Sequence, residues 1–424
     1  MKKKISVFVG KLCKKSVFIR TCVKKLRLLY RKAVYFFGYY LKYRVDDKII
    51  LFESFKGAFF CDSPKAIYEE MLKDERFKDC TLVCVTSSNS KKLKSSLSTS
   101  VGEATKADNS IFVRYNSREY LRYYASAKYI VTNSIYPILV IKKKKQVYVQ
   151  TWHGTPFKRI GCDIVVDHEN PYNTVAEIHK KYENEAKIID YMLSPSAYTT
   201  DKLISSFHLN KLGKENSVLE LGYPRNDFLY NYTEEMVEKI KSDLGIPAGK
   251  KVILYAPTFR DNSHTTGIGY TYFPDTDFDY LRQELEDDFV ILYRAHYFIN
   301  DTFDFEKYAG FIFNVSTIPD INTLYVVSDL LVTDYSSVFF DYANLKRPIL
   351  FYMYDFDNYR NKLRGFYMEP EELPGPISGT EQQLAGDIKR LAESGYDYGS
   401  FNERFTYLDD GQASRRVIDA IFQK

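Results

Sequence analysis

Residues 146–161 read QVYVQTWHGTPFKRIG, and this stretch decides the fold. The apolar run from Gln146 to Thr151 has the length of a strand and stops at Trp152-His153-Gly154. A histidine at a strand's C-terminal end, followed at once by glycine, is presented on a turn. In open α/β sheets that edge is where ligands bind. Lys158 and Arg159 are expected within one helical turn of the histidine. That would set a titratable group beside two fixed cations and suit proton abstraction next to an anionic substrate. A buried structural histidine is the competing reading of this ring taken alone.

Outward from that strand the same pattern repeats. Apolar runs at 48–54, 81–86, 111–115, 129–133 and 191–196 alternate with helical segments at 64–73, 118–127, 171–186 and 197–207. A strand from Val218 runs into Gly222 and Pro224, and a boundary is expected near there, dividing the body into 48–225 and 226–424. A second series follows, with strands at 252–258, 289–296, 311–315, 329–334 and 348–352 and helices at 321–327, 336–345 and 381–393. Short strands separated by helices indicate parallel βαβ units. The fold class is therefore α/β, with two Rossmann-like halves facing a cleft.

Charge is unevenly spread. The 424 residues carry a net +5, but residues 1–45 hold fourteen Lys/Arg and no acid, leaving a body of 46 basic and 55 acidic residues. Apolar and aromatic residues from Val17 to Phe37 recur at three- and four-residue steps, which fits an amphipathic helix. A basic helix with an apolar stripe suits the interface of an anionic membrane leaflet. Its longest uncharged stretch, Ala33 to Leu41, is nine residues, short of the ~20 needed to span a bilayer. A solvated helix packed on the body, or an RNA-binding arm, are the alternatives; no nucleic-acid partner is expected. Residues 1–47 are read as a membrane-associating tail, and the core is expected to begin at residue 48. The six cysteines show neither CxxC nor zinc-type spacing, which points to a reduced, cytoplasmic chain.

Other strand ends carry polar groups. At 329–340, DLLVTDYSSVFF, a buried strand ends at Thr333-Asp334 and Ser336-Ser337 open a helix. Two hydroxyls at a strand end beside free N–H groups suit a phosphate, while capping by Ser336 is the simpler alternative. Arg294 and His296 share one face of an extended segment and fit a phosphate clamp. Thr258 and Arg260 end a further strand with a hydroxyl and a cation. The DxD patterns at Asp275–Asp279 and Asp355–Asp357 read as polar loops, so no metal site is expected. His168, His179, His208 and His264 read as surface residues. No GxGxxG, P-loop, HExxH or GxSxG occurs.

With these segments the chain resembles the CDP-glycerol glycerophosphotransferase family, the teichoic-acid primases and polymerases. The matching pieces are FESFKGAFFCDSPKAIYEEM (52–71), QTWHGTPFKRIG (150–161), GYPRND (222–227), ILYAPTFRD (253–261), LYRAH (292–296), DLLVTDYSSVFFDYANLKRPILFYMYD (329–355) and RGFYMEPEELPGP (364–376). The resemblance implies a GT-B fold with the nucleotide on the C-terminal half. It implies transfer of a polyol phosphate from a CDP-polyol to a hydroxyl of a membrane-anchored, lipid-linked acceptor, releasing CMP. It makes His153 the base, sets His296 at the diphosphate, and gives Ser336 and Ser337 to phosphate. Gly154, Thr155, Thr258, Arg260, Arg294, Thr333 and Asp334 complete the expected substrate-binding set. Tyr297 stands where many members have proline. No tightly bound cofactor is expected; Mg2+ is compatible but not required. A nucleotide-sugar glycosyltransferase of the same fold, or a non-catalytic membrane-bound scaffold, are the competing classes. Glycerol and ribitol donors, and single addition and polymerisation, are equally compatible with these residues.

Overall fold

The computed structural model describes residues 17–87, 109–165, 174–258, 264–265, 269–270, 276–294, 303–356, 365–393 and 396–422. Helix α1 (Val17–Tyr35) leads through a wide turn at Phe36–Tyr40 into the first half of the body. There β1 (Asp46–Glu53), α2 (Asp62–Leu72), β2 (Thr81–Thr86), β3 (Ser110–Arg114), α3 (Arg118–Ser126), β4 (Ala127–Thr132) and β5 (Val147–Gln150) follow in order. Then come α4 (Val175–Ile188), β6 (Tyr191–Ser194), α5 (Ala197–Ser206) and β7 (Val218–Glu220). The seven strands form one parallel sheet in the order β3-β2-β1-β4-β5-β6-β7. Strands β2 and β5 and the second half of β1 are almost wholly buried, as parallel strands covered by helices must be.

The short α6 (Phe228–Asn231) and α7 (Glu234–Asp243) connect to the second half. Its sheet is built from β8 (Lys251–Ala256), β11 (Phe289–Tyr293), β12 (Ile312–Asn314), β13 (Leu330–Thr333), β14 (Ile349–Tyr352) and β15 (Ile377–Ser378). A two-stranded hairpin, β9 (His264–Thr265) with β10 (Gly269–Tyr270), stands apart from it. The six strands run parallel in the order β12-β11-β8-β13-β14-β15, flanked by α8 (Phe278–Leu285), α9 (Ile321–Val327), α10 (Val338–Tyr342), α11 (Glu381–Leu391) and α12 (Gly399–Phe405). The arrangement is GT-B-like: two doubly wound halves, each with a crevice where its strand order reverses. Those reversals lie between β1 and β4 in the first sheet and between β8 and β13 in the second, the places where ligands are held in such folds.

Two features of packing are absent from the sequence reading. The last helix, α13 (Ala413–Ile421), returns to the first half, where Val417, Ile418, Ile421 and Phe422 join the core with Phe52, Tyr68 and Leu82. The core also begins before residue 48. Tyr35 is 1 % exposed and packs in the first-half cluster, with Tyr39 stacked on it at 6.0 Å.

A buried polar network ties the halves together. Arg225, in the turn after β7, donates to both oxygens of Asp341 in α10, Nε at 3.1 Å and Nη2 at 3.0 Å. Asn226 Nδ2 donates to Asp341 Oδ1 at 2.9 Å and to Asp409 Oδ2 at 2.6 Å. Asp409 Oδ1 accepts the Tyr223 N–H at 2.8 Å, and the Asn322 amide donates to the Arg225 carbonyl. A buried ion pair broken on one side leaves an uncompensated charge, which costs about 3–5 kcal/mol. Asp341→Ala is therefore expected to destabilise the protein by about that amount in urea denaturation. A loss under 1 kcal/mol, the size of an exposed pair, would show that Arg225 reaches solvent or another partner.

Candidate active site

His153 stands where a strained turn lifts it off the end of β5. Trp152 has φ 53°, a left-handed conformation unfavourable for a large side chain. The Gln150 side chain holds that turn, its Oε1 accepting the Trp152 N–H at 3.0 Å. The Trp152 ring is locked edge-on against Phe207 at 5.4 Å. Next to it, His153 Nδ1 lies 2.8 Å from the carbonyl oxygen of Asn133, at the end of neighbouring β4. A carbonyl can only accept, so Nδ1 carries the proton and Nε2 keeps a lone pair.

The ring is exposed toward the cleft, yet Phe55, Trp152 and Asn133 crowd it on the other sides. Desolvation is the largest influence and lowers its pKa; the bond to Asn133 and the charge of Asp62 oppose that, and Arg225 adds to it. Asp62 opens α2 with φ 64°, its Oδ1 accepting the Ser63 N–H at 2.5 Å and lying 3.8 Å from Arg225 Nη1. Burial raises the Asp62 pKa, against the pull of Arg225 and His153. The cation beside His153 is thus Arg225. Lys158 and Arg159 were expected within one helical turn, but their segment is extended. Lys158 bridges Phe366, and the Arg159 N–H donates to the Gly365 carbonyl at 3.0 Å.

The second half meets this turn directly. A Cβ built on Gly154 would lie 2.9 Å from Ser337 Oγ, so any larger residue would push that hydroxyl away. Three residues on, Phe157 is 4 % exposed and lies in the second half's core, edge-on to Phe339 at 5.2 Å. The segments 154–157 and 337–339 therefore face each other across the cleft floor. Ser337 is the N-cap residue of α10, but its side chain caps nothing. Ser336 lies just before it, and both are half-buried.

The remaining expected residues divide into two groups. Arg294 follows β11, half-buried, with Nη1 donating to the Ile318 carbonyl at 2.7 Å. Thr155 is buried and its hydroxyl has no hydrogen-bond partner among the described residues. Thr333 and Asp334 instead shape the loops. The Thr333 hydroxyl donates to the Ala256 carbonyl at 2.8 Å, and Asp334 Oδ1 accepts the Thr258 N–H at 2.7 Å and the Tyr335 N–H at 2.6 Å. Arg260, His296, His168, Asp275 and Asp357 lie outside the described residues. Asp277 caps α8, Asp279 meets Lys307, and Asp355 accepts from Tyr335, so these acids serve local contacts. His179 and His208 are partly exposed, bonded to the Ile164 carbonyl at 2.9 Å and Glu183 at 3.0 Å. Among the described residues, Cys162, Glu183 and His208 bring three potential metal ligands within 4.8 Å. The Lys211 ammonium lies 3.0 Å from His208 Nε2 and already puts a cation there.

Residues 34–423 match the family described as CDP-Glycerol:Poly(glycerophosphate) glycerophosphotransferase. The chain belongs to that family. It is 38% identical over 385 residues to the teichoic acid poly(glycerol phosphate) polymerase of Bacillus subtilis (strain 168), covering 89% of this chain and 49% of that protein. The chain thus spans about half the length of that relative. It is 37% identical to the teichoic acid glycerol-phosphate transferase of Staphylococcus aureus (strain NCTC 8325 / PS 47), covering 89% of this chain and 94% of that one. Among solved structures it resembles the wall teichoic acid polymerase TagF with CDPG, with a TM-score of 0.80 and 35% identity. That match covers 95% of this chain and 97% of the other.

In this glycerophosphotransferase family member, Asn133, Asp62 and Arg225 are the site residues that motif reading missed. Asn133 ends β4 and was discoverable by the strand-end rule applied to His153. Arg225 lies in GYPRND, recognised only as a matching piece. His153→Ala is expected to lower turnover by ~10²–10⁴, the range for a lost general base. Because its pKa is depressed, the neutral base is present at pH 7, and the rate should fall with acid only below the ordinary histidine value of about 6.5. An acid limb centred above that value would contradict the desolvated, Nδ1-protonated ring.

Proposed function

We propose that the chain transfers glycerol phosphate, or a related polyol phosphate, from a CDP-polyol to a hydroxyl of a membrane-anchored acceptor. The setting is synthesis of teichoic acid or a related polymer. The observation that carries this reading is the contact of the HGT turn with the serine turn. It sets the turn that carries His153, its Nε2 left unprotonated by the Asn133 contact, against the turn that carries Ser336 and Ser337. The acceptor hydroxyl gives its proton to Nε2 as its oxygen bonds to the β-phosphorus. The bond from that phosphorus to the CMP oxygen breaks, and CMP leaves with the electron pair. Phosphoryl transfer is mainly positioning and charge stabilisation. The serine hydroxyls and Arg294 supply donors and charge on the second half, and the family resemblance adds His296 at the diphosphate.

Glycerol is favoured over ribitol by likeness. The glycerol-phosphate relatives are 37–39% identical over 89% of the chain. The teichoic acid poly(ribitol-phosphate) polymerase of Bacillus spizizenii is 32% identical over 70% of it. CMP release from CDP-glycerol, CDP-ribitol and nucleotide sugars, with products weighed by mass spectrometry, is the test. Turnover of CDP-glycerol is expected, and release from a nucleotide sugar alone would replace this reading with glycosyl transfer. Replacing both Ser336 and Ser337 by alanine should weaken CDP-glycerol binding by about 1–3 kcal/mol as hydroxyl donors to charged oxygens are lost. Unchanged affinity in calorimetry of the folded variant would contradict the phosphate assignment.

The site of action is proposed to be the cytoplasmic face of the membrane, reached by peripheral binding. No helix among the described residues is long and apolar enough to cross a membrane. Along α1 and the turn after it, Leu26, Leu29, Tyr30, Val34, Phe37 and Leu41 are exposed among Lys25, Arg27, Arg31 and Lys32. Lys142–Lys145 lie beside that turn, with Lys143 bonded to the Tyr43 carbonyl and 5.1 Å over the Tyr40 ring. Basic residues near an anionic leaflet contribute roughly 1 kcal/mol each. Because Tyr35 is part of the core, the informative truncation ends before it. Deleting residues 1–32 removes twelve positive charges and should abolish co-sedimentation with anionic vesicles at physiological salt. Undiminished pelleting would place the anchor elsewhere.

A further inference from the structure

Glu185 lies near the end of α4, 2 % exposed, and the chemistry above does not use it. Donors from two other segments converge on its carboxyl group. The Tyr136 N–H lies 3.0 Å from each oxygen. The Tyr148 hydroxyl donates to Oε1, and Gln150 Nε2 donates to the same oxygen at 3.3 Å. Gln150 Nε2 also donates to the Tyr148 hydroxyl at 2.8 Å and to the Ser134 carbonyl at 3.0 Å. Tyr136, Tyr148 and Gln150 are all buried. Burial pushes the Glu185 carboxyl up to about 6, so at pH 7 it is mostly ionised and can only accept.

These donors belong to the two segments that fix His153. Gln150 gives its other amide atom, Oε1, to the Trp152 N–H, the bond that holds the strained left-handed turn. Tyr136 lies in the loop after β4 that begins at Asn133, and the Asn133 carbonyl accepts from His153 Nδ1. One carboxylate therefore joins the backbone that lifts the imidazole to the carbonyl that orients it. The charges acting most on the ring are those of Asp62 and Arg225, so Glu185 reaches it through geometry. Only an acceptor suits this place. Glutamine at 185 has nearly the same shape, but the Tyr136 N–H lies against both oxygens. Whichever way the amide turned, its NH2 would face that N–H, leaving a buried donor against a donor.

We propose that Glu185 is a positioning residue: it locks residues 133–136 and 148–152 to each other and so sets the direction in which His153 presents Nε2. The expected effect on rate rests on the proposed glycerophosphate transfer; the expected effect on the ring does not.

The test compares the full chain with its Glu185→Gln variant, using CDP-glycerol and octyl phosphoglycerol as a soluble acceptor. The kcat should fall about a hundredfold, the scale for a reacting group displaced by about an ångström. The KM for CDP-glycerol should stay unchanged, because Ser336, Ser337 and Arg294 lie on the other half. Nitrogen–proton NMR should show the single Nδ1-protonated tautomer of His153 giving way to a mixture, which a loss of stability alone does not produce. Tyr148→Phe deletes one buried hydroxyl from the network and should lower kcat about fivefold at unchanged KM. This milder variant decides the matter should Glu185→Gln fail to fold. A wild-type tautomer in folded Glu185→Gln, whatever its stability, overturns the positioning role, and so does a wild-type kcat in Tyr148→Phe. Absence of CMP release by the wild type overturns the parent reading and leaves the tautomer comparison to decide the role of Glu185.

Discussion

The bidentate pair between Arg225 and Asp341 fixes the angle between the two halves, and the candidate site depends on that angle. Arg225 is 5 % exposed and Asp341 7 %, so sliding one half past the other would strand a charge without water. Such pairs contribute little net stability against an apolar alternative, but they penalise every other arrangement. With the angle set, Gly154 can touch the Ser337 hydroxyl and Phe157 can fill the second core. The Tyr367 N–H donates to the Phe157 carbonyl at 2.9 Å and closes the same segment from the other side. The loop that carries His153 is thereby clamped at both ends.

This clamping makes the electrostatics coherent. His153 is kept neutral by desolvation and by Arg225, while Asp62 stands close enough to favour the imidazolium once a proton arrives. A base that is uncharged at rest and can be charged during reaction is what removal of an alcohol proton needs at neutral pH.

The parallel halves were legible because their strands are short apolar runs with clear ends. The 81–86 strand and the 321–327 helix appear with those bounds. Helix α7 was missed although Val237, Ile240 and Leu244 recur at helical spacing and pack, partly buried, against the second-half core. The return of α13 to the first sheet was hidden because partners such as Phe52 and Tyr68 lie more than three hundred residues upstream. At the site, His153 was visible from its place at a strand end. Its tautomer was not, because the partner is a backbone carbonyl twenty residues earlier that no side-chain pattern reports. Lys158 and Arg159 misled because an extended segment paired with residues 365–367 was read as the start of a helix.

Everything proposed for the site turns on Asn133 holding His153 as an Nδ1-protonated, Nε2-basic ring. Long-range nitrogen–proton NMR on the labelled full chain reports both ring nitrogens directly, with the His153 signals assigned by their loss in His153→Ala. A protonated Nδ1 and an unprotonated Nε2 are expected at pH 7, persisting as pH falls to the ordinary histidine value. An Nε2-protonated ring, or an imidazolium at pH 7, would contradict it.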